Sequence, residues 1–103
     1  MASIPDVLEE KAKRYNLLME NESVRVMEMR LKPGQKSLMH NHPNDHVVYV
    51  FEDAKFNLSN PEGNSDEFEL KAGDVLWIES GQHEAENTGT TEGHNLVVEI
   101  KAR

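Results

Sequence analysis

The stretch HNHPNDHVVYVF, residues 40–51, decides the fold because it joins a histidine cluster to the most strongly β-forming run of the chain. Everything after its last histidine is β-branched or aromatic, and such residues favour strands. Pro43 interrupts the stretch and predicts a corner. Successive side chains of a strand point to opposite faces, so His40 and His42 share a face, and His46 joins them if the corner preserves the phase. The stretch therefore predicts two strands with three imidazoles on one side.

Other short segments with strand character lie on both sides of this stretch, at a spacing of roughly ten residues. Turn clusters rich in Gly, Pro, Asn and Asp separate them. No segment after residue 20 has helical periodicity, so we expect an all-β sandwich or barrel. The predicted strands cover residues 15–19, 24–31, 37–42, 46–51, 55–58, 67–70, 75–78, 83–87 and 95–100.

The N-terminal segment has a different pattern. The hydroxyl of Ser3, followed by an early proline and an acidic residue, is typical of a helix start, so we expect a short helix over residues 5–13. A chain of 103 residues and 11.7 kDa is long enough for one domain. We expect that domain to span residues 1–103, with an arm over residues 1–20 and a β body over residues 24–100.

Composition excludes several classes of protein. Without cysteine there is no disulfide scaffold, cysteine-ligated zinc finger, iron–sulfur site or thiol catalysis. The longest uninterrupted apolar run is residues 47–51, which is too short to span a membrane. The N-terminus lacks the basic and apolar blocks of a signal peptide, so we expect a cytoplasmic location. No phosphate-binding loop, dinucleotide fingerprint or serine nucleophile elbow occurs.

The charge is unevenly distributed. The chain has a net charge of −8, whereas residues 37–100 alone carry −11. Nucleic acids and anionic membranes are bound by basic surfaces, so we expect neither as a partner. An acidic body attracts cations, including metal ions, although plain solubility is the better explanation of the charge taken alone.

A further histidine, His83, lies on a separate predicted strand. If these strands line the interior of a closed sheet, four neutral imidazoles converge there and can coordinate a divalent transition ion through nitrogen. The alternative is a set of hydrogen-bonded core or surface histidines without an ion. The residues by themselves leave both interpretations open. His94 sits in a polar stretch, and we expect it at the surface.

Two segments resemble the conserved motifs of the cupin superfamily. Residues 34–46, GQKSLMHNHPNDH, are similar to the first motif, Gly-x5-His-x-His-x3/4-Glu-x6-Gly. Residues 73–87, GDVLWIESGQHEAEN, are similar to the second, Gly-x5-Pro-x-Gly-x2-His-x3-Asn. The phrases LKPG at 31–34 and LKAGDV at 70–75 are similar to those of small single-domain cupins named for β-alanine degradation. That likeness implies a metabolic association rather than a reaction.

The resemblance implies a cupin double-stranded β-helix, which is a jelly-roll barrel. It also implies one divalent transition metal ion, chosen among Zn, Ni, Fe, Cu and Mn. The ligands implied in this sequence are His40, His42, His46 and His83.

Two departures from the motifs bear on these ligands. His46 stands where most cupins have Glu, which removes an oxygen ligand and leaves a set of nitrogens that favours Zn, Ni, Cu and Fe. Whether His46 is itself a ligand stays open. In the second motif the gap between Gly81 and His83 is one residue short, which would remove the fourth ligand if it turned His83 away.

The strand phase also predicts a pocket. Val48 and Val50 share the parity of His46, and Leu38 shares that of His40. We expect these three apolar residues to line a substrate pocket next to the ion.

Three large side chains, Val47, Tyr49 and Phe51, occupy the opposite face, which would ordinarily be solvated. Coverage by the N-terminal segment or by a partner subunit accounts for them, and we expect a homodimer.

The leading hypothesis for function is a metal-dependent protein that acts on or binds a small organic metabolite, with dioxygenase-like chemistry as one reaction class. The alternatives are a non-catalytic metal or metabolite-binding module, a structural scaffold with a closed tetrahedral site, and an isomerase- or lyase-like cupin in which the metal is incidental. The identity and coordination number of the ion distinguish them.

Overall fold

Nine antiparallel strands form two sheets over residues 3–101, the part of the chain that the computed structural model describes. One sheet has the order β1-β2-β9-β4-β7 and the other the order β3-β8-β5-β6. This confirms the predicted all-β jelly-roll class. The strands are β1 Tyr15–Glu20, β2 Val24–Leu31, β3 His40–His42, β4 His46–Val50, β5 Ala54–Ser59, β6 Ser65–Leu70, β7 Val75–Ile78, β8 Gly81–Asn87 and β9 Gly93–Ile100.

The hydrophobic core lies between the two sheets and is built from alternate positions of the strands. Met27 and Met29 of β2 point inward, as does Leu31 at its end. Phe56 and Ala85 meet them from the smaller sheet. The remaining buried apolar residues of the cluster are Val7, Val48, Val50, Ala54, Leu70 and Val97.

Apolar residues occur in both phases of β2, because Val26 belongs to one face and Met27 to the other. The sequence predicts a bulge or burial on both faces for such a change. The pairing of β2 with β9 is continuous, but the pairing with β1 shifts from Leu17–Met27 to Met19–Val26. The bulge therefore lies at Leu18 of the edge strand β1, and not in β2.

The helix predicted over residues 5–13 is wrong, because this segment forms turns. Side-chain carboxylates take up backbone amides that a helix would use. Asp6 Oδ2 accepts the N–H of Leu8 at 3.0 Å, and the carboxylate of Glu10 accepts the N–H of Ala12. Such local hydrogen bonds between side chains and the backbone compete with the backbone hydrogen bonds of a helix.

The N-terminal arm, residues 3–14, adds backbone hydrogen bonds to the edge of β3. Asn41 donates its N–H to the carbonyl of Pro5 at 2.8 Å, and Val7 donates to the carbonyl of Asn41 at 3.0 Å. Val7 is also part of the core. The arm therefore holds the short strand that carries two of the histidines. Within residues 3–101 no helix has the length and apolar character needed to cross a membrane.

Candidate metal centre

Four histidines meet between the two sheets. His40 and His42 lie on β3, and His83 lies opposite His40 on the neighbouring β8. His46 is the first residue of β4 in the facing sheet. Three of them, His40, His42 and His46, are buried, and His83 is partly buried. The short gap in the second motif does not turn His83 away from the cluster.

Three of the imidazoles form a converging set. One nitrogen each from His40, His42 and His83 lies within 4.8 Å of the other two, a spacing at which these atoms could hold a metal ion. His46 is not part of that set. Its ring stacks on His42 with the centroids 4.3 Å apart and an angle of 24° between the planes.

Hydrogen bonds fix the orientation of these rings. A carbonyl oxygen only accepts, so Nδ1 of His40 donates to Leu38 O at 2.7 Å, and Nδ1 of His46 donates to Asn44 O at 3.1 Å. Nδ1 of His42 donates to the Glu99 carboxylate at 3.0 Å. In each neutral ring the lone pair then resides on Nε2.

Glu99, a fully buried carboxylate on β9, connects the cluster to the arm. Arg25 lies 2.9 Å from Glu99 and also forms a two-pronged ion pair with Asp6, at 3.0 and 3.1 Å. Burial by itself would raise the pKa of Glu99, but hydrogen bonds from His42 and Arg25, together with the Arg25 charge, lower it to about 2. Glu99 therefore remains ionised within the chain of contacts Asp6–Arg25–Glu99–His42.

The histidines are held in their neutral form. Burial lowers the pKa of His42 to about 4 despite the hydrogen bond to Glu99. Burial and the three neighbouring imidazoles lower the pKa of His83 to about 2. Burial also lowers the pKa of His40 and of His46. Neutral imidazole is the form that ligates metals.

A cavity of about 50 Å³ extends from the imidazoles into the barrel. Of the three predicted pocket residues, Val48 is in the lining of this cavity. Val50 is fully buried but is not in the lining, and Leu38 is about half exposed and lies outside the cavity. Leu38 precedes β3, so strand alternation does not set its direction. The other lining residues are Tyr15, Met29, His42, His46, Phe56, Leu58, Phe68, Leu70, Leu76, Ile78, His83, Ala85, Asn95 and Val97.

Sequence reasoning missed three polar residues of this region, namely Tyr15, Asn95 and Glu99. The last two point inward from β9. The other phase of that strand, formed by His94 and the apolar residues 96, 98 and 100, is the more apolar one and would be the expected core face. The one sequence signal for the inward direction of Asn95 and Glu99 is the set of histidines on other strands, which need polar neighbours if they are buried. His94 lies outside the cluster, 2.6 Å from Glu28.

Comparisons with known proteins agree with this geometry. A cupin domain protein from Bordetella pertussis is 29% identical, with a TM-score of 0.77 over 99% of this chain and 100% of that one. A double-stranded β-helix protein from Klebsiella pneumoniae is 25% identical, with a TM-score of 0.67 over 84% of this chain and 74% of that one. An RmlC-like cupin from Methanocaldococcus jannaschii, 14% identical with a TM-score of 0.67 over 84% and 77%, shares the fold.

No protein of curated function matches the chain. The family model of the cupin domain matches residues 27–99, which include both histidine segments. This match covers most of the chain, and the two sheets and the position of the histidines accord with it. The chain therefore belongs to the cupin domain family.

Proposed function

We propose that this cupin is a metal-dependent protein that binds a small organic molecule beside a divalent transition ion. The ligands we assign are Nε2 of His40 and of His42 and a nitrogen of His83, with His46 adjacent as a further donor. The proposal depends most on one contact, the approach of two ring nitrogens described next.

Nε2 of His40 lies 3.1 Å from Nε2 of His42. In both rings the proton is on Nδ1, which donates it in a hydrogen bond to Leu38 O or to Glu99. The two Nε2 atoms therefore carry lone pairs, and these face each other across the contact. Two acceptors at such a distance repel unless a cation lies between or beside them. A proton is disfavoured, because burial lowers the pKa of both rings. Two ligands at about 2.1 Å from one ion and at roughly 90–109° to each other are about 3.0–3.4 Å apart, which fits the contact.

The nitrogen donors limit which metal ions suit this site. Imidazole nitrogens suit Zn, Cu, Fe and Ni better than oxygen-preferring ions. When bound, such an ion supplies a Lewis acid and, if it is redox-active, a centre for dioxygen chemistry. The residues of the chain orient the rings through Leu38 O and Glu99 and surround the approach to the ion with apolar side chains.

Apart from the charge of the ion itself, the side chains that line the cavity favour an uncharged ligand. Among residues 3–101, no lysine, arginine, aspartate or glutamate lines it. A charge enters such a space only at a large desolvation cost. Free β-alanine carries two charges, so we take the likeness to cupins named for β-alanine degradation as support for a metabolic role and not for that substrate.

The test is metal binding by protein stripped with a chelator. We expect Ni²⁺, Zn²⁺ and Co²⁺ each to bind at one ion per chain and to raise the melting temperature, measured by calorimetric titration and differential scanning calorimetry. His42→Ala should abolish the high-affinity binding. His94→Ala is the matched control, because His94 lies outside the cluster, and it should bind as the unmodified chain does.

Two results would overturn the proposal: no ion rebinds, or the two variants bind equally well. The visible spectrum of the Co²⁺ form separates the functional alternatives. Weak absorption of a five- or six-coordinate ion supports open positions for a ligand. Intense four-coordinate absorption that no small molecule alters supports the structural scaffold instead.

A further inference from the structure

Asn95 places a buried side-chain amide at the wall of the cavity. It is 3% exposed on β9, and its Oδ1 is the one buried side-chain oxygen or nitrogen without a hydrogen bond among residues 3–101. It lines the same cavity as the histidines. In a space bounded mostly by aliphatic and aromatic groups, this oxygen is free to accept a hydrogen bond.

An unpaired buried acceptor is unfavourable, since the group has lost water without gaining a protein donor. Buried polar atoms are nearly always satisfied, so an exception calls for a specific explanation. Leucine has a similar size and would fill this position without that penalty. The amide is therefore better explained by a ligand than by packing.

Strand pairing places Asn95 away from the imidazoles. His46 pairs with Glu99, and four residues along β4 Val50 pairs with Asn95. Four residues of a strand span about 13 Å. The pair Val48–Val97 lies between these two levels and is apolar. The cavity thus has imidazoles toward one end, an apolar middle and an amide toward the other end.

Tyr15 is the remaining polar residue of the lining. Its hydroxyl makes no hydrogen bond within residues 3–101, and its ring lies 5.1 Å from that of His40. Burial, with the charges of Glu10 and Glu99, raises the pKa of Tyr15 well above its usual value, so the hydroxyl keeps its proton. A ligand near the histidines finds a donor there, whereas one near Asn95 finds an acceptor.

We infer that Asn95 determines ligand specificity by accepting a hydrogen bond from a small, uncharged molecule whose apolar body fills the cavity. The ligand class is one with a terminal hydroxyl or N–H at the end remote from the histidines. This inference deepens the proposed function, and its placement of the other end beside the ion rests on that proposal. The expected hydrogen bond from the ligand to Asn95 Oδ1 does not depend on a bound metal ion.

The test uses two isomers, 1-butanol and diethyl ether, which differ in that only the alcohol has an O–H. Both are titrated into ¹⁵N-labelled protein in EDTA, and dissociation constants are taken from shifts of the amide signals around the cavity. We expect 1-butanol to bind about threefold to tenfold more tightly, the range of one net hydrogen bond. Asn95→Leu should abolish the preference without lowering the melting temperature. Val97→Ala, which alters the cavity but not the amide, should retain it.

Equal binding of the two isomers by the unmodified chain would overturn the inference, whatever the variants do. So would an unchanged preference in Asn95→Leu, which would mean that another group receives the hydroxyl. Because EDTA removes metal, a chain that fails to bind Ni²⁺ can still confirm the role of Asn95. Conversely, a chain that binds Ni²⁺ but treats the isomers alike refutes this inference alone.

Discussion

At the scale of single residues, Glu99 is the group that orients His42 in the proposed metal centre. It is fully buried, accepts a hydrogen bond from Nδ1 of His42 and is kept ionised by that bond and by Arg25. A carboxylate behind a ligating imidazole fixes its orientation and increases its basicity. We therefore interpret Glu99 as a positioning residue of the centre.

Glu99→Gln tests this role because it preserves the size and one acceptor oxygen but removes the charge. We expect the Ni²⁺ affinity to fall by about 10–100-fold, measured by competition with a chelator of known affinity. Glu62→Gln, in the exposed turn after β5, is the matched control and should leave the affinity unchanged. Equal affinities of the two variants, with native circular dichroism in both, would remove Glu99 from the centre.

The site could be predicted from sequence only where residue identity and spacing carry the information. The pairing of His40 with His42 follows from strand alternation, and His83 follows from the second motif. Asn95 and Glu99 could not be found in this way, because the opposite phase of β9 is the more apolar one. Which phase faces the core depends on a second apolar surface that only the whole fold reveals.

At the scale of elements, the strands were predictable and the N-terminal arm was not. The bounds of β2 and β7 match the prediction, since β-branched and long apolar residues end there at clear turn residues. The arm has the cap and early proline of a helix, but local propensity is a weak determinant against tertiary contacts. Val7 enters the core, and Glu10 bonds to the segment before β3.

Substitution of Glu10 tests how much its hydrogen bonds to the arm and to Leu38 stabilise the fold. It is 1% exposed, and its carboxylate accepts the N–H of Leu38 at 3.0 Å as well as amides of the arm itself. Glu10→Ala leaves these donors unpaired, so we expect the free energy of unfolding to fall by about 1–3 kcal/mol in urea denaturation. Glu9→Ala, at the exposed neighbouring position, should change it by less than about 0.5 kcal/mol. Similar losses in both variants would show that the buried carboxylate does not secure the arm.

At the scale of the whole molecule, the outer face of the larger sheet is apolar. One row of paired residues crosses all five strands, and it consists of Met19, Val26, Val98, Val47 and Trp77. The next row continues with Leu96, Tyr49 and Val75. The charged residues Glu28 and Arg30 lie toward one end of the face. The arm, described over residues 3–14, bonds to β3 in the other sheet and does not cover this face.

A second copy of the chain is the occupant that we expect on this face. A broad, mainly apolar sheet surface can pack on itself about a twofold axis, as two sheets of a sandwich do. It also accounts for Trp77, which is 57% exposed on a chain with few aromatic residues. A solitary apolar surface of this extent is unusual on a monomer.

Light scattering after size-exclusion chromatography tests the pairing, and we expect a mass of twice 11.7 kDa for the unmodified chain. Trp77→Glu buries a charge between the two sheets if they pack together, so this variant should elute as a monomer. Leu38→Glu introduces the same charge at an exposed apolar residue outside the face and should remain dimeric. A monomeric unmodified chain, or a dimer that survives Trp77→Glu, would mean that this face does not join two copies. Because the cavity lies on the inner side of the same sheet, Ni²⁺ binding should persist in the monomeric variant.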